Sequence, residues 1–252
     1  MTRRFALVLA LAIGLLTTGA VGENRHDADV LVALGAGVAG TWETEFEFAN
    51  NEALPLTVFA GLEPHEFLCI TGPCGIAYAP LPRTGAARIV TTSADFARFT
   101  GRLFVGAHDA EELPTVRARV VNRARPAQAI ELPLFRRSTL VALNPLVLAF
   151  PSAVRTSGAH TNLFVSEIAL AESMTVRIEA YSAAGQQVGQ QTVAIAAGET
   201  LFLQDVLATL GVTALPDGQL RVTRTSGAGK MWGLAATVYD DGRVSVSAGK
   251  HP

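Results

Sequence analysis

The chain has little of what specialised chemistry requires. Among its 252 residues are only two cysteines, two tryptophans and three tyrosines. Two cysteines cannot staple a disulfide scaffold, and a chain of this length can build a core without one. Lys230 and Lys250 are the only lysines, and the formal net charge is −2. That balance gives no basic footprint for nucleic acid or anionic lipid. Beyond residue 22 no apolar stretch approaches the ~20 uncharged residues of a membrane-spanning helix. The stretch 140–154 carries Asn144, Pro145 and Pro151, and the stretch 192–215 carries Glu199 and Asp205. There is no G-x-S-x-G elbow. His26, His65, His108, His160 and His251 are scattered, with no metal-type pair among them.

The N-terminus has a layout of its own. Arg3 and Arg4 precede the apolar run Phe5–Leu16, and Ala20-Val21-Gly22 supplies small residues two apart ahead of Glu23. This is the pattern of a cleavable secretory signal over residues 1–22. Its removal takes away two arginines and no acids, which moves the net charge from −2 to −4. A secreted, periplasmic or cell-envelope location follows, with no membrane span after processing. The basic residues other than the two lysines are all arginine, a bias read as a compositional habit of the source.

A repeat organises the rest. Thr44-Glu45-Phe46-Glu47-Phe48 aligns with Thr161-Asn162-Leu163-Phe164-Val165, 117 positions on. Leu56-Thr57-Val58 aligns with Met174-Thr175-Val176 at 118, and Leu103-Phe104-Val105 with Leu220-Arg221-Val222 at 117. Val120-Val121-Asn122 is matched with Val238-Tyr239-Asp240 at 118. A period this long is a domain duplication, not a solenoid turn. The matched segments read as strands. Trp42, Thr44, Phe46 and Phe48 alternate with Glu43, Glu45 and Glu47, and Trp232, Leu234, Ala236 and Val238 share that period. Turn residues separate the runs at Asn50-Asn51, Ala184-Gly185, Pro216-Asp217-Gly218 and Asp240-Asp241-Gly242. Each repeat is expected to carry one short helix. Ser93 would cap residues 94–99, and Asp205 would cap Val206–Leu210 ahead of Gly211.

The expected fold class is therefore all-β: two tandem antiparallel β-sandwich domains, over residues 23–143 and 144–252. This order of strands around a short capped helix resembles the immunoglobulin-like and fibronectin-like modules of bacterial exported proteins. It lacks the Cys…Trp…Cys spacing of antibody domains. The resemblance implies a binding, adhesive or spacer module with a protein or glycan ligand.

Several motifs invite sharper readings. Gly35-Ala-Gly-Val-Ala-Gly40 matches G-x-G-x-x-G, but a dinucleotide site needs a helix directly after it. The period of two from Thr41 points to a Gly-rich β-turn instead. Cys69 and Cys74, with His65 nearby, lack a fourth zinc ligand and zinc-type spacing. A Cys69–Cys74 disulfide clipping a local loop is expected from the exported context. Arg155-Thr-Ser-Gly-Ala159 recurs as Arg224-Thr-Ser-Gly-Ala228, and Ser-Gly turns explain both. Glu43, Glu45 and Glu47 lie along one strand and cannot converge on Ca²⁺, so they read as a solvated face. No catalytic, cofactor-binding or metal-binding residue is assigned, and no cofactor is expected. A carbohydrate-binding alternative would use Tyr78, Phe104 or Tyr239 as an aromatic groove. A secreted hydrolase would need a Ser/His pair or convergent acids.

Export is expected to remove residues up to about Gly22. Intact-mass measurement of the exported protein checks this, and a soluble product that retains Met1–Leu16 contradicts it.

Overall fold

Strand after strand forms because apolar and polar residues alternate with a period of two, as Phe46 and Phe48 do with Glu45 and Glu47. The computed structural model describes residues 30–38, 42–63, 76–90, 98–108 and 113–250. The first half holds β1 (Leu31–Val38), β2 (Trp42–Ala49), β3 (Leu56–Glu63), β4 (Ile76–Leu81) and β5 (Ala86–Val90). It continues with β6 (Arg98–His108), β7 (Thr115–Asn122), β8 (Arg125–Leu132), β9 (Phe135–Arg136) and α1 (Arg137–Leu143). The second half holds β10 (Val147–Thr156), β11 (Ala159–Glu167), β12 (Met174–Ser182), β13 (Gln187–Ile195) and β14 (Thr200–Leu203). After these come α2 (Val206–Thr209), β15 (Leu215–Gly227), β16 (Met231–Tyr239) and β17 (Val244–Ala248).

The pairing is antiparallel throughout and identical in the two halves. The first sheet runs β4-β3-β6-β1-β2-β7-β8, with β5 on β2 and β9 on β1. The second runs β13-β12-β15-β10-β11-β16-β17, with β14 on β11. The bridge between Ala149 and Lys250 takes the place of the β1–β9 pairing. β1 meets β2 only at Val38 and Trp42, so the path bends there and closes into two layers. We call β4-β3-β6-β1 and β13-β12-β15-β10 the front layers. The back layers are β5-β2-β7-β8 and β14-β11-β16-β17. Each sandwich has its own core between its layers. Ala33, Val58 and Leu103 face Phe46, Phe48 and Ala118 in the first. Leu148, Val176 and Leu220 face Leu163, Val165 and Ala235 in the second.

Register refines the repeat. Thr44 pairs with Val120, and Thr161 with Thr237. Val120 therefore corresponds to Thr237, 117 on, and the expected match to Val238 is one residue out. In a strand that slip exchanges the two faces.

The helices follow expectation in one half only. Asp205 caps α2, its side chain accepting from the Ala208 N–H at 3.2 Å, and Gly211 follows at φ +78°. In the first half Arg98 and Phe99 belong to β6, where Phe99 pairs with Gly37, so they do not end a helix. Residues 91–97 lie outside the described residues. The helix of that half is α1, ended by Asn144 in the left-handed region at φ 37°.

The expected signal, residues 1–22, also lies outside the described residues. The expected Cys69–Cys74 disulfide is not formed. The two cysteines are not at disulfide-bond distance, and an S–S bond of ~2.05 Å cannot close without that approach. Both cysteines, like His65, fall in 64–75, between β3 and β4 and outside the described residues. The corresponding connection in the second half is 183–186.

One buried polar position holds the same corner of each sandwich. Glu167 is fully buried, and its carboxylate accepts from the N–H groups of Ala169 and Gly198, each at 2.9 Å, and of Lys230 at 3.0 Å. Its counterpart is Asn50, whose Oδ1 accepts from Glu52 N–H at 2.8 Å while Nδ2 donates to the carbonyls of Leu54 and Pro82. Removing such a hub leaves buried N–H groups unsatisfied. Glu167→Ala is expected to lower the unfolding free energy by about 2–4 kcal/mol in urea titration. Glu167→Gln should also destabilise, because one amide oxygen cannot serve three converging donors. The exposed change Gln187→Ala should stay within about 0.5 kcal/mol.

Candidate functional site: the outer faces of the sandwiches

The outward residues of the strands decide what each sandwich meets. In the second, Phe164, Trp232, Leu234 and Ala236 point away from their own core and are buried. They pack with Phe202 and Val246 against Val30, Val32, Phe59 and Phe104 of the first sandwich. The first sandwich thus presents its front layer to the back layer of the second. Phe135 stacks edge-on against Trp232 at 5.1 Å, and Leu140 of α1 completes the cluster. The Lys230 ammonium donates to the Val141 carbonyl at 2.8 Å, which ties the helix to β16. Trp232 is buried as its period suggests, but the other sandwich buries it. The side chain of Trp42 lies outside the described residues.

The equivalent back layer of the first sandwich carries charge. Glu47 pairs with Arg88 on one side and Arg117 on the other, where Phe164 pairs with Phe202 and Leu234. Glu45 opposes Arg119 where Asn162 opposes Ala236. Glu131 stands beside Arg119 where Val246 stands beside Ala236. Glu43 and Glu45 are not a solvated face, being only 5% and 2% exposed. They are buried under guanidinium groups. Arg119 donates to Glu45 at 2.9 Å and to Glu47 at 2.7 Å. Arg88 also binds Glu45, Arg123 binds Glu43, and Arg117 binds Glu131. Hydrogen bonding to Glu131 raises the Arg117 guanidinium above its ordinary value, and Glu43 does the same for Arg123. Four arginines and four glutamates alternate here, so the lattice is neutral as a whole. No arginine of this lattice was singled out by the sequence reading. The signal was the period-two pair Arg117-Ala118-Arg119 facing Glu43, Glu45 and Glu47.

A shallow groove of ≈ 500 Å³ opens in this face. Ala49, Ala86 and Ala87 line it with Glu47, Arg88 and Arg117. It exists because Thr115 occupies the position that Trp232 fills in the second sandwich, opposite Ala49 and Ser166 respectively. Such a site can take apolar groups against its alanines and polar groups beside Glu47, Arg88 and Arg117. Among the described residues no cluster of His, Cys, Asp or Glu is arranged to hold a metal ion.

The other sequence candidates do not converge. Gly35 and Gly37 sit within β1, paired with Gly101 and Phe99. The next element is β2, not the helix a dinucleotide site needs. Ser157 lies in the β10–β11 turn, and Ser226 lies in β15. Of the proposed aromatic groove, Phe104 is buried between the sandwiches and Tyr239 is covered by Arg243, 5.0 Å from the ring centre. Tyr78 remains exposed, 6.3 Å from Phe59. No described helix is long and apolar enough to cross a membrane.

No protein-family model matches this chain, and no curated protein matches it. Among solved structures it is similar to one described as "Crystal Structure of Thermotoga maritima 1070", with 13% identity and a TM-score of 0.36. The match covers 43% of this chain and 96% of that one.

Glu45→Ala leaves Arg88 and Arg119 without their shared partner. It is expected to cost about 1–3 kcal/mol in chemical denaturation. Arg117→Ala, at an exposed pair, should leave the denaturation midpoint close to that of the native chain.

Proposed function

We propose that the protein is a non-enzymatic exported module that binds a partner, or spaces other parts, in the cell envelope or outside the cell. One observation supports this reading above others: the back layer of this sandwich is already a docking face in the second half, where it holds an entire domain. In the first half the same layer carries an ordered charged lattice and an open groove in place of the aromatics. Its ligand is a protein segment or a glycan, held beside Glu47, Arg88 and Arg117 with apolar groups against Ala49, Ala86 and Ala87. The arginines are already held on carboxylates, so binding demands little new ordering. The export pattern of residues 1–22 sets the location.

The test has two arms. Panels of chromogenic esters, peptides and glycosides should turn over no faster with the protein than without it, and reproducible turnover overturns the non-enzymatic reading. In the second arm the mature chain is applied to a glycan array and to immobilised cell-envelope fractions, beside Arg117→Glu and Tyr78→Ala. Binding is expected to fall about tenfold or more in Arg117→Glu and to persist in Tyr78→Ala. Loss in Tyr78→Ala alone moves the site to the exposed tyrosine and favours a carbohydrate stacked on that ring.

A further inference from the structure

The contact between the two sandwiches is heterologous: the front layer of one unit meets the back layer of the next. A contact of that kind uses two different surfaces and leaves one of each unused at the ends. Among the described residues the unused surfaces are the back layer of the first sandwich and the front layer of the second. Both replace apolar residues by charge at matching positions. On the first, Glu47, Arg88 and Arg117 stand for Phe164, Phe202 and Leu234. On the second, Arg177 stands for Phe59 and Arg221 for Phe104. The backbone is altered to suit. Gly106 and Gly61 pair with Phe59 and Phe104, where Thr223 and Glu179 pair with Arg177 and Arg221. A Cβ on Gly106 would meet the Phe59 ring at 2.5 Å, so the ring lies flat over that glycine.

We propose that the charges on the two end faces stop the chain from stacking head-to-tail on further copies of itself. What they exclude is a second copy of this chain, entering by the opposite layer. An incoming copy must bury Glu47 and Arg117, or Arg177 and Arg221, away from water. The apolar layer of the newcomer offers those groups no hydrogen bonds in return. This inference stands whether or not the groove holds a ligand.

Two full-length variants test it. The first carries Glu47→Phe, Arg88→Phe and Arg117→Leu. The second carries Arg177→Phe, Glu179→Gly, Arg221→Phe and Thr223→Gly. Sedimentation velocity is expected to show the native chain and each variant alone as monomers. An equimolar mixture of the two variants should give a species of twice the monomer mass. Two folded variants that stay apart at tens of micromolar overturn the proposal. So does a first variant that associates as strongly with itself as with the second, or a native chain that stacks unaided. If either variant fails to fold, the reverse exchange decides. Phe164→Glu with Phe202→Arg and Leu234→Arg moves the charges inside, and should raise the rate of proteolysis at 137–146 at least tenfold. An unchanged rate overturns the proposal.

Discussion

Everything outward about this molecule depends on one apolar contact, in which Phe164, Trp232 and Leu234 of the second sandwich close over Val32, Phe59 and Phe104 of the first. Burying an aromatic or large aliphatic side chain is worth about 1.5–3 kcal/mol, so a handful of them outweighs any exposed ion pair on the same strands. The contact joins unlike layers, and that constrains the sequence. Two copies of one fold cannot share one surface pattern, because each layer is covered in one copy and open in the other.

The duplication therefore keeps what the cores require and lets the outer faces part. Phe46 and Leu163, Phe48 and Val165, and Val58 and Val176 fill the same inward places with side chains of one class. Ala118 and Ala235 are identical, in the middle of β7 and β16, and both lie in the cores. The corner hubs kept their position and exchanged their chemistry. Asn50 donates to carbonyls and accepts from one N–H, whereas Glu167 only accepts. A carboxylate suits the second corner because the Gly198 and Lys230 N–H groups point at it.

Much of this was legible in the residues. The period of two in 42–48 and the offset of 117 identify strands and duplication, because a half-buried strand must alternate and equivalent cores need equivalent spacing. The interface was written there too, less plainly. Leu163-Phe164-Val165 is apolar without interruption where Phe46-Glu47-Phe48 alternates, and a strand covered on both faces reads that way. The expected helix cannot run on through Arg98 and Phe99, which are strand residues of β6, and the pairing of β6 with β1 outweighs local propensity there. The disulfide rested on an even count and an exported setting. Neither fixes the distance between two sulfur atoms.

The near absence of lysine acquires a physical meaning on the charged face. A buried carboxylate such as Glu45 has several lone-pair sites to satisfy, and its neighbours lie a strand apart on either side. Arg119 spans Glu45 and Glu47 with two different nitrogens of one planar group, at 2.9 and 2.7 Å. Arg88 reaches Glu45 from the opposite strand. An ammonium is a compact, strongly hydrated point charge and cannot bridge in this way without bringing water into the layer. Arginine also holds its charge at any pH the protein meets, so the lattice does not loosen as lysines would when desolvated. A Glu–Lys lattice on the same strands would leave Glu45 buried with fewer donors, and a buried carboxylate lacking donors costs several kcal/mol. Glu45 can therefore be as buried as a core residue, on a face that remains open to water, only while arginine covers it.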